Sequence, residues 1–193
     1  MKQTRKLIQE TFVELALEKP VDKITVKEIV DTCGINRNSF YYHYEDLPDL
    51  IISIIEDMIS DESRRHAGQG IQEVIISMAR TLQNNLGLCR NVYYSKNREA
   101  LSIRLNKTIN NLIEDYLEKE QISRFQISEE DREIIIQTYR MEFAGMIREW
   151  MQDGMKYDLV HRFVRMLELR EGTIDQMLLR AQESYLANNG RRR

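Results

Sequence analysis

Five residues within a short stretch carry side chains suited to binding nucleic acid. They lie in the segment RNSFYYH: Arg37, Asn38, Ser39, Tyr41 and Tyr42. Arginine can pair bidentately with guanine and asparagine with adenine. Serine and tyrosine hydroxyls suit phosphate oxygens. The residue types therefore indicate base and phosphate contacts, provided that the side chains share one face of one element.

A helix would place these side chains on an outward face. At about 100° per residue, Phe40 and Tyr44 lie close together and define the core side. Tyr42 then projects almost opposite, with Asn38 and Tyr41 flanking it. A solvated helix rarely exposes neighbouring aromatic residues. The alternative is that Tyr41 and Tyr42 pack against the first helix or a neighbouring domain, and the geometry favours the DNA-binding interpretation.

Two short helices joined by a glycine turn would hold this face in place. The apolar residues of the earlier helix follow i, i+3, i+4, i+7 spacing: Val26, Ile29, Val30 and Cys33. Thr25, with Glu28 three residues later, predicts a capping box at its start. Gly34 predicts its end, and Asn36 predicts the N-cap of the next helix. The pattern is typical of a helix-turn-helix, whose second helix enters the major groove.

The rest of the chain also predicts helices. Only 2 Pro and 8 Gly occur in 193 residues, which disfavours a turn-rich all-β fold. Apolar periodicity predicts further helices, and residues 88–97 are expected to be irregular. The predicted ranges are about 3–18, 47–66, 71–87, 101–117, 129–153, 158–170 and 173–188. The prediction is an all-α protein with about nine to ten helices.

Two domains are expected. Gly68 and Gly70 interrupt the chain after the fourth predicted helix. We predict a three-helix helix-turn-helix domain over residues 1–47, linked by helix 47–66. A larger helical regulatory and dimerisation domain is predicted over residues 48–190.

Composition excludes several classes of protein. The hydrophobic fraction of 42% is too high for intrinsic disorder. The longest apolar run, residues 50–59, is broken by polar residues, and no signal peptide is visible, so no membrane association is expected. Two cysteines cannot form a disulfide scaffold, which favours the cytoplasm. Gly-rich phosphate loops, GxSxG, HExxH and Cys/His clusters are missing, so neither an enzyme nor a cofactor is expected.

Residues 5–60 resemble the TetR-type transcriptional regulators. The matching positions are Thr25, Val26, Ile29, Val30, Gly34, Ile35, Asn36, Ser39, Phe40, Tyr41, His43, Tyr44 and Leu50. Residues 144–158 (AGMIREWMQDGMKYD) also resemble a C-terminal segment of a subgroup from Gram-positive bacteria. The resemblance implies a dimeric, ligand-responsive regulator, usually a repressor, that binds double-stranded DNA.

The resemblance also implies roles for particular residues. Arg37, Asn38 and Tyr42 would face bases, and Lys27 would reach the groove edge. The phosphate contacts would come from Thr25, Ser39, Tyr41 and His43. His43 has an alternative role as a capping or core histidine. The family often has lysine at the start of the fourth helix, where this chain has Leu47. Backbone N–H groups at that helix start could replace the lost phosphate contact.

The terminal cations leave two interpretations open. Lys2, Arg5 and Lys6 would contact the minor groove or DNA backbone in the family interpretation, or belong to a frayed, solvated terminus. The arginines at 191–193 are expected to form a disordered tail rather than to attract DNA.

The C-terminal helices are expected to dimerise. Helices 129–153, 158–170 and 173–188 would form the interface, as a four-helix bundle. A two-fold dimer would place two recognition helices about one DNA turn apart on a palindromic operator.

A small-molecule inducer would bind in the same domain. Candidate lining residues are Tyr93, Tyr94, Tyr139, Met146 and Trp150, with Arg140 or Arg148 as a charged anchor. A mixed aromatic and methionine lining suits an apolar ligand. Core packing explains each of these residues equally well and is the preferred interpretation for each one singly.

A second hypothesis is a coactivator that keeps the fold but acts through a protein partner, with DNA contact secondary. Both Leu47 and the acidic balance allow it. The net charge is −3 for the chain, and residues 1–50 contain seven Lys/Arg and nine Asp/Glu, a net of −2. If the protein binds DNA, we therefore expect few phosphate contacts and weak non-specific binding.

Overall fold

The all-α prediction is confirmed. A computed structural model describes residues 2–66 and 70–190, and these ranges contain ten α-helices and no strand. The helices are α1 Lys2–Glu18, α2 Val26–Cys33, α3 Arg37–His43, α4 Leu47–Arg65, α5 Ile71–Asn84, α6 Leu86–Tyr93, α7 Arg98–Glu120, α8 Glu129–Gln152, α9 Leu159–Leu169 and α10 Thr173–Gly190. Short 3₁₀ helices occur at Val21–Lys23 and Ile122–Arg124. No helix in the described ranges is long and apolar enough to cross a bilayer.

The chain divides into two compact units. The first contains the described residues up to Arg64 together with Thr81–Asn106. The second contains Arg65–Arg80 and the chain from Lys107 onward. Gly70 has φ of +87° and directly precedes α5. Two expectations, the break at Gly68 and the tail at 191–193, fall outside the described residues.

The first unit is built around α1. One apolar face of this helix is buried against α2, α3 and α6. The core that forms there is a single cluster, which includes Ile8, Phe12, Ala16, Ile29, Phe40, Tyr44, Leu50, Leu88 and Leu101. The cluster joins the helix-turn-helix to α4, α6 and the start of α7. The face of α3 that turns inward is therefore fixed by packing on several helices.

The expectation that residues 88–97 are irregular is wrong for 88–93, which belong to α6 Leu86–Tyr93, and is met for 94–97. Leu88 and Val92 are buried in the first core. The Asn91 side-chain amide donates a hydrogen bond to Ala16 O at 2.7 Å, at the end of α1. An eight-residue helix containing Gly87 has little intrinsic stability. Packing on α1 stabilises it, and periodicity in one short segment cannot show that contact.

The second unit is centred on α8. Its buried residues are Ile135, Ile136, Tyr139, Phe143 and Trp150. Ion pairs join α8 to α7, from Arg132 to Glu118 and from Arg140 to Glu114. On α9, the Phe163 ring stacks on Phe143 with 5.9 Å between centroids. These buried residues lie within an arc of about 100° around the helix axis, so α8 is buried on one face in this unit. The expectation of burial on several sides is not met here, because Ile134, part of the predicted apolar surface, is half exposed.

We predict that Gly34→Ala lowers the free energy of unfolding by about 1–2 kcal/mol, because Gly34 has φ of +66° and a Cβ there strains the backbone. The added Cβ meets no atom within 4 Å, so steric clash contributes nothing. Chemical denaturation measures the effect.

The matched control is Gly87→Ala. Gly87 lies within the helix α6, where alanine is the better helix former, so stability is expected to be unchanged or higher. Equal stability of Gly34→Ala and the wild type would contradict the strain argument.

Candidate nucleic-acid interface

The turn between α2 and α3 forms as the sequence predicts. Gly34 adopts the left-handed conformation at the end of α2. Thr25 caps the start of α2, where its hydroxyl accepts a hydrogen bond from Glu28 N at 3.2 Å. The Glu28 carboxylate forms an ion pair with Lys19 instead of bonding back to Thr25 N, so only the Thr25 half of the predicted capping box forms. Asn36 caps α3, and its Oδ1 accepts from Ser39 N at 2.8 Å.

The orientation of α3 agrees with the helical geometry. Phe40 is fully buried, and Tyr44, which caps the C-terminus of α3, is almost fully buried. The side chain of Tyr42 is 68% exposed and that of Tyr41 is 46% exposed. Asn38 is exposed as well. Burial of Tyr41 and Tyr42 against α1, the alternative interpretation, does not occur in this unit.

Arg37 presents its charge at the start of this face. Its side chain is exposed, and Nη2 donates to Tyr41 Oη at 3.1 Å. The guanidinium carbon lies 5.5 Å from the centre of the Tyr41 ring. Arg37 has no ion-pair partner among residues 2–66 and 70–190. Its positive charge is therefore not neutralised by a carboxylate.

The candidate phosphate-binding hydroxyls differ in whether their O–H groups are already used in hydrogen bonds within the protein. Thr25 uses its oxygen as an acceptor, which leaves its O–H available. The Ser39 hydroxyl donates to Asn36 Oδ1 at 3.1 Å, so it must leave this bond to reach a phosphate. Lys27 is exposed on α2. His43 is half-buried, with its ring edge-on to Tyr42 at 5.0 Å.

The start of α4 is acidic. Leu47 is half-buried and packs against the first core, so it fills space where the family often has a lysine. Asp46 Oδ1 accepts from Asp49 N at 2.8 Å, and Asp49 Oδ2 accepts from Glu45 N at 3.0 Å. These carboxylates already complement the positive end of the helix. Such an arrangement disfavours the expected replacement of the missing lysine by backbone N–H groups.

Arg5 is engaged within the protein. Its guanidinium donates to Ser53 Oγ at 2.7 Å and forms an ion pair of 2.8 Å with Asp57, both on α4. Gln9, one turn further along α1, donates to the same two side chains. This polar cluster joins α1 to α4. Arg5 is therefore not part of a frayed terminus, and its guanidinium is already bound within the protein.

Charge and burial have opposite effects on the pKa values of Arg5 and Tyr44 in this cluster. Partial burial tends to lower the pKa of Arg5, but its hydrogen bond to Asp57 and the Asp57 charge raise the pKa above its ordinary value. Burial raises the pKa of the neighbouring Tyr44 phenol, which Ser53 and Arg5 partly oppose. Arg5 with Gln9 and Ser53 with Asp57 are both i, i+4 pairs. That matched spacing is the signal by which the sequence could have indicated the cluster.

The other N-terminal cations add little to the candidate interface. Lys6 forms an exposed ion pair with Glu10 at 3.4 Å. The side chain of Lys2 is outside the described residues. The predicted basic N-terminus therefore contributes no exposed, unpaired charge in the part of α1 that the structure describes.

The candidate ligand residues divide between the two units. Tyr93 and Tyr94 belong to the first unit, whereas Tyr139, Met146 and Trp150 belong to the second. Trp150 is fully buried, and its indole N–H donates to Tyr157 O at 3.0 Å. With that donor used, Trp150 acts as a core residue.

Neither arginine predicted to anchor a ligand is an unpaired charge beside the candidate lining residues. Arg140 is paired with Glu114 and also donates to Asn110 O. Arg148 is exposed on α8. Among the described residues, no three His, Cys, Asp or Glu side chains are placed to hold a metal ion.

Comparison with known proteins identifies the family. A profile described as the C-terminal region of TetR-type transcriptional regulators matches residues 69–169, just over half of the chain. The chain belongs to the TetR-type family of transcriptional regulators. Members of this class are regulators rather than enzymes. No curated protein sequence matches the chain.

Solved structures share the fold at low sequence identity. The dihydroxyacetone kinase operon activator DhaS has a TM-score of 0.71 and 18% identity, covering 91% of this chain and 98% of that one. The fatty acid degradation regulator FadR from Bacillus halodurans has a TM-score of 0.58 and 16% identity, with coverages of 90% and 94%. A TetR regulator from Rhodococcus sp. RHA1 has a TM-score of 0.59 and 15% identity, with coverages of 86% and 96%.

We predict that Arg5→Gln destabilises the protein by about 0.5–1.5 kcal/mol, because the variant loses a half-exposed ion pair and a hydrogen bond. Thermal unfolding followed by circular dichroism measures the change. Lys6→Gln is the matched control on the same helix, since its ion pair is exposed and contributes little. Equal losses in the two variants would show that the cluster between α1 and α4 adds no stability.

Proposed function

We propose that the protein is a sequence-specific DNA-binding regulator that acts as a ligand-responsive repressor. The observation that carries this proposal is the outward face of α3, which exposes Arg37, Asn38, Tyr41 and Tyr42 while Phe40 is buried behind them. A chain that exposes two adjacent tyrosines beside an unneutralised arginine has a surface suited to base edges and phosphates.

The proposed contacts follow from what each side chain can donate. Arg37, Asn38 and Tyr42 would meet base edges, with Lys27 at the edge of the groove. Thr25 has an O–H to donate to phosphate, and Ser39, Tyr41 and His43 complete the phosphate contacts. Only Lys27 and Arg37 bring positive charge, so affinity would depend on hydrogen bonds more than on counterion release.

We predict that Arg37→Ala relaxes base preference at one position of each half-site, because it removes a bidentate pair worth about 1–3 kcal/mol of discrimination. Ser39→Ala should weaken binding to all sequences alike, because phosphate contacts carry no sequence information directly. Selection of bound DNA from random sequence, with titration of the selected site at moderate salt, measures both. Failure of the wild-type chain to select any sequence would contradict DNA binding as its function.

Dimerisation through the C-terminal helices is supported by two apolar stripes in the second unit. On α8, Ile134 is 51% exposed and Met141 is 64% exposed, and they lie two turns apart. On α10, Leu179 and Leu186 have the same spacing and are half exposed. Residues seven apart share one helix face. Burying these stripes against a second copy would form the proposed four-helix bundle.

We predict that Met141→Glu weakens the dimer at least tenfold, because it places an unpaired charge in an apolar interface. Sedimentation velocity across a concentration series measures the dissociation constant. Ile103→Glu is the matched control, since Ile103 is an equally exposed apolar residue on α7, outside the proposed bundle. A wild-type chain that is monomeric at micromolar concentration would contradict the dimer.

In this proposal residues 1–47 bind DNA, and residues 48–190 provide regulation and dimerisation. Helix α4 links the two parts. A small-molecule inducer would shift the dimer toward conformations in which the two DNA-binding domains no longer have the spacing that an operator requires. In the second unit, Tyr139 and Met146 remain candidates for its lining after Trp150 is assigned to the core, and Tyr93 and Tyr94 are the candidates in the first unit.

A coactivator that acts through a protein partner is the second candidate function. The acidic start of α4, with Glu45, Asp46 and Asp49 close to α3 in sequence, favours it because carboxylates repel phosphate. The similar structure of DhaS is described as that of an operon activator. Co-purification of a stoichiometric partner, with DNA bound only in its presence, would distinguish this function from the first.

A further inference from the structure

One interaction on the outward face of α3 links two residues to which the family pattern gives separate roles. The phenol oxygen of Tyr41 accepts a hydrogen bond from Arg37 Nη2 at 3.1 Å, and the guanidinium lies beside the tyrosine ring. The two residues are one helical turn apart and both are exposed. Arg37 is therefore held at one point of its guanidinium before any DNA arrives.

The Tyr41 ring is itself held in place. It meets the Phe40 ring edge-on, with 5.5 Å between centroids and 85° between the planes. Phe40 is fully buried in the first core. The phenol oxygen that holds Arg37 is thus connected to the interior through one rigid aromatic contact.

The acceptor that holds Arg37 is neutral. A carboxylate partner offsets the positive charge of an arginine, as Asp57 does for Arg5. The phenol fixes the guanidinium while the charge stays available for DNA. The guanidinium has five N–H donors, and only one is used here, so enough remain for the two acceptors of guanine.

We propose that Tyr41 positions Arg37 for pairing with guanine, and so helps to determine sequence specificity in addition to contacting the DNA backbone. The proposal rests on the DNA-binding function proposed above. Tyr41 accepts from Arg37 through its oxygen and keeps its own O–H to donate to a phosphate. One side chain thereby sets the position of the arginine relative to the DNA backbone.

The experiment uses Tyr41→Phe, which keeps the ring and its contact with Phe40 but removes the hydroxyl. DNA selection with Arg37→Ala first identifies the base position that Arg37 contacts. At that position the preference for guanine is expected to fall about 3- to 10-fold in Tyr41→Phe, the effect of losing one hydrogen bond. In the Arg37→Ala background, Tyr41→Phe is expected to leave that position unchanged, because a coupled pair is not additive.

Ser39→Ala is the matched control, because Ser39 is expected to contact phosphate alone. It should weaken binding without changing base preference. If Tyr41→Phe behaves like Ser39→Ala, Tyr41 is a backbone contact only and the inference is wrong. If the wild-type chain selects no DNA, both the proposed function and this inference fail. A thermal unfolding midpoint of Tyr41→Phe equal to that of the wild type checks that the variant keeps the fold.

Discussion

Burial of Phe40 and Tyr44 against α1 is the constraint on which the candidate interface depends. Both rings lie in the first core, with Ile8, Phe12 and Leu50. Because they fix the rotation of α3 about its axis, every other side chain of this short helix has a determined direction. Arg37, Asn38 and Tyr42 face outward for that reason.

The same core extends beyond the helix-turn-helix. It contains Leu88 and Val92 of α6 and Leu101 of α7, and Asn91 binds the last turn of α1. Nearer the N-terminus of α1, Arg5 and Gln9 join this helix to α4 through Ser53 and Asp57. The helix that supports α3 thus shares an apolar core with α4 and α6 and also makes polar contacts with both helices.

Local features of the sequence predicted local structure well. Gly34, Thr25 and Asn36 act through bonds to their near neighbours, so their types and positions were enough to predict the turn and both caps. The formation of α6 depends on its packing against α1, and the contact between Asn91 and Ala16 spans 75 residues of sequence. The short amphipathic pattern of α6 was therefore missed. The pairing of Arg5 with Asp57 was missed for the same reason, since each side chain alone resembles an ordinary surface charge.

The central claim is that specificity comes from a few base contacts with little help from charge. The most direct measurement is the affinity of the wild-type chain for its selected site and for random DNA across a salt series. Two cations on each α2–α3 segment predict a slope of log K against log salt no steeper than about −4 for a dimer, with clear preference for the selected site. Tight binding to any DNA with a steeper slope would contradict the account.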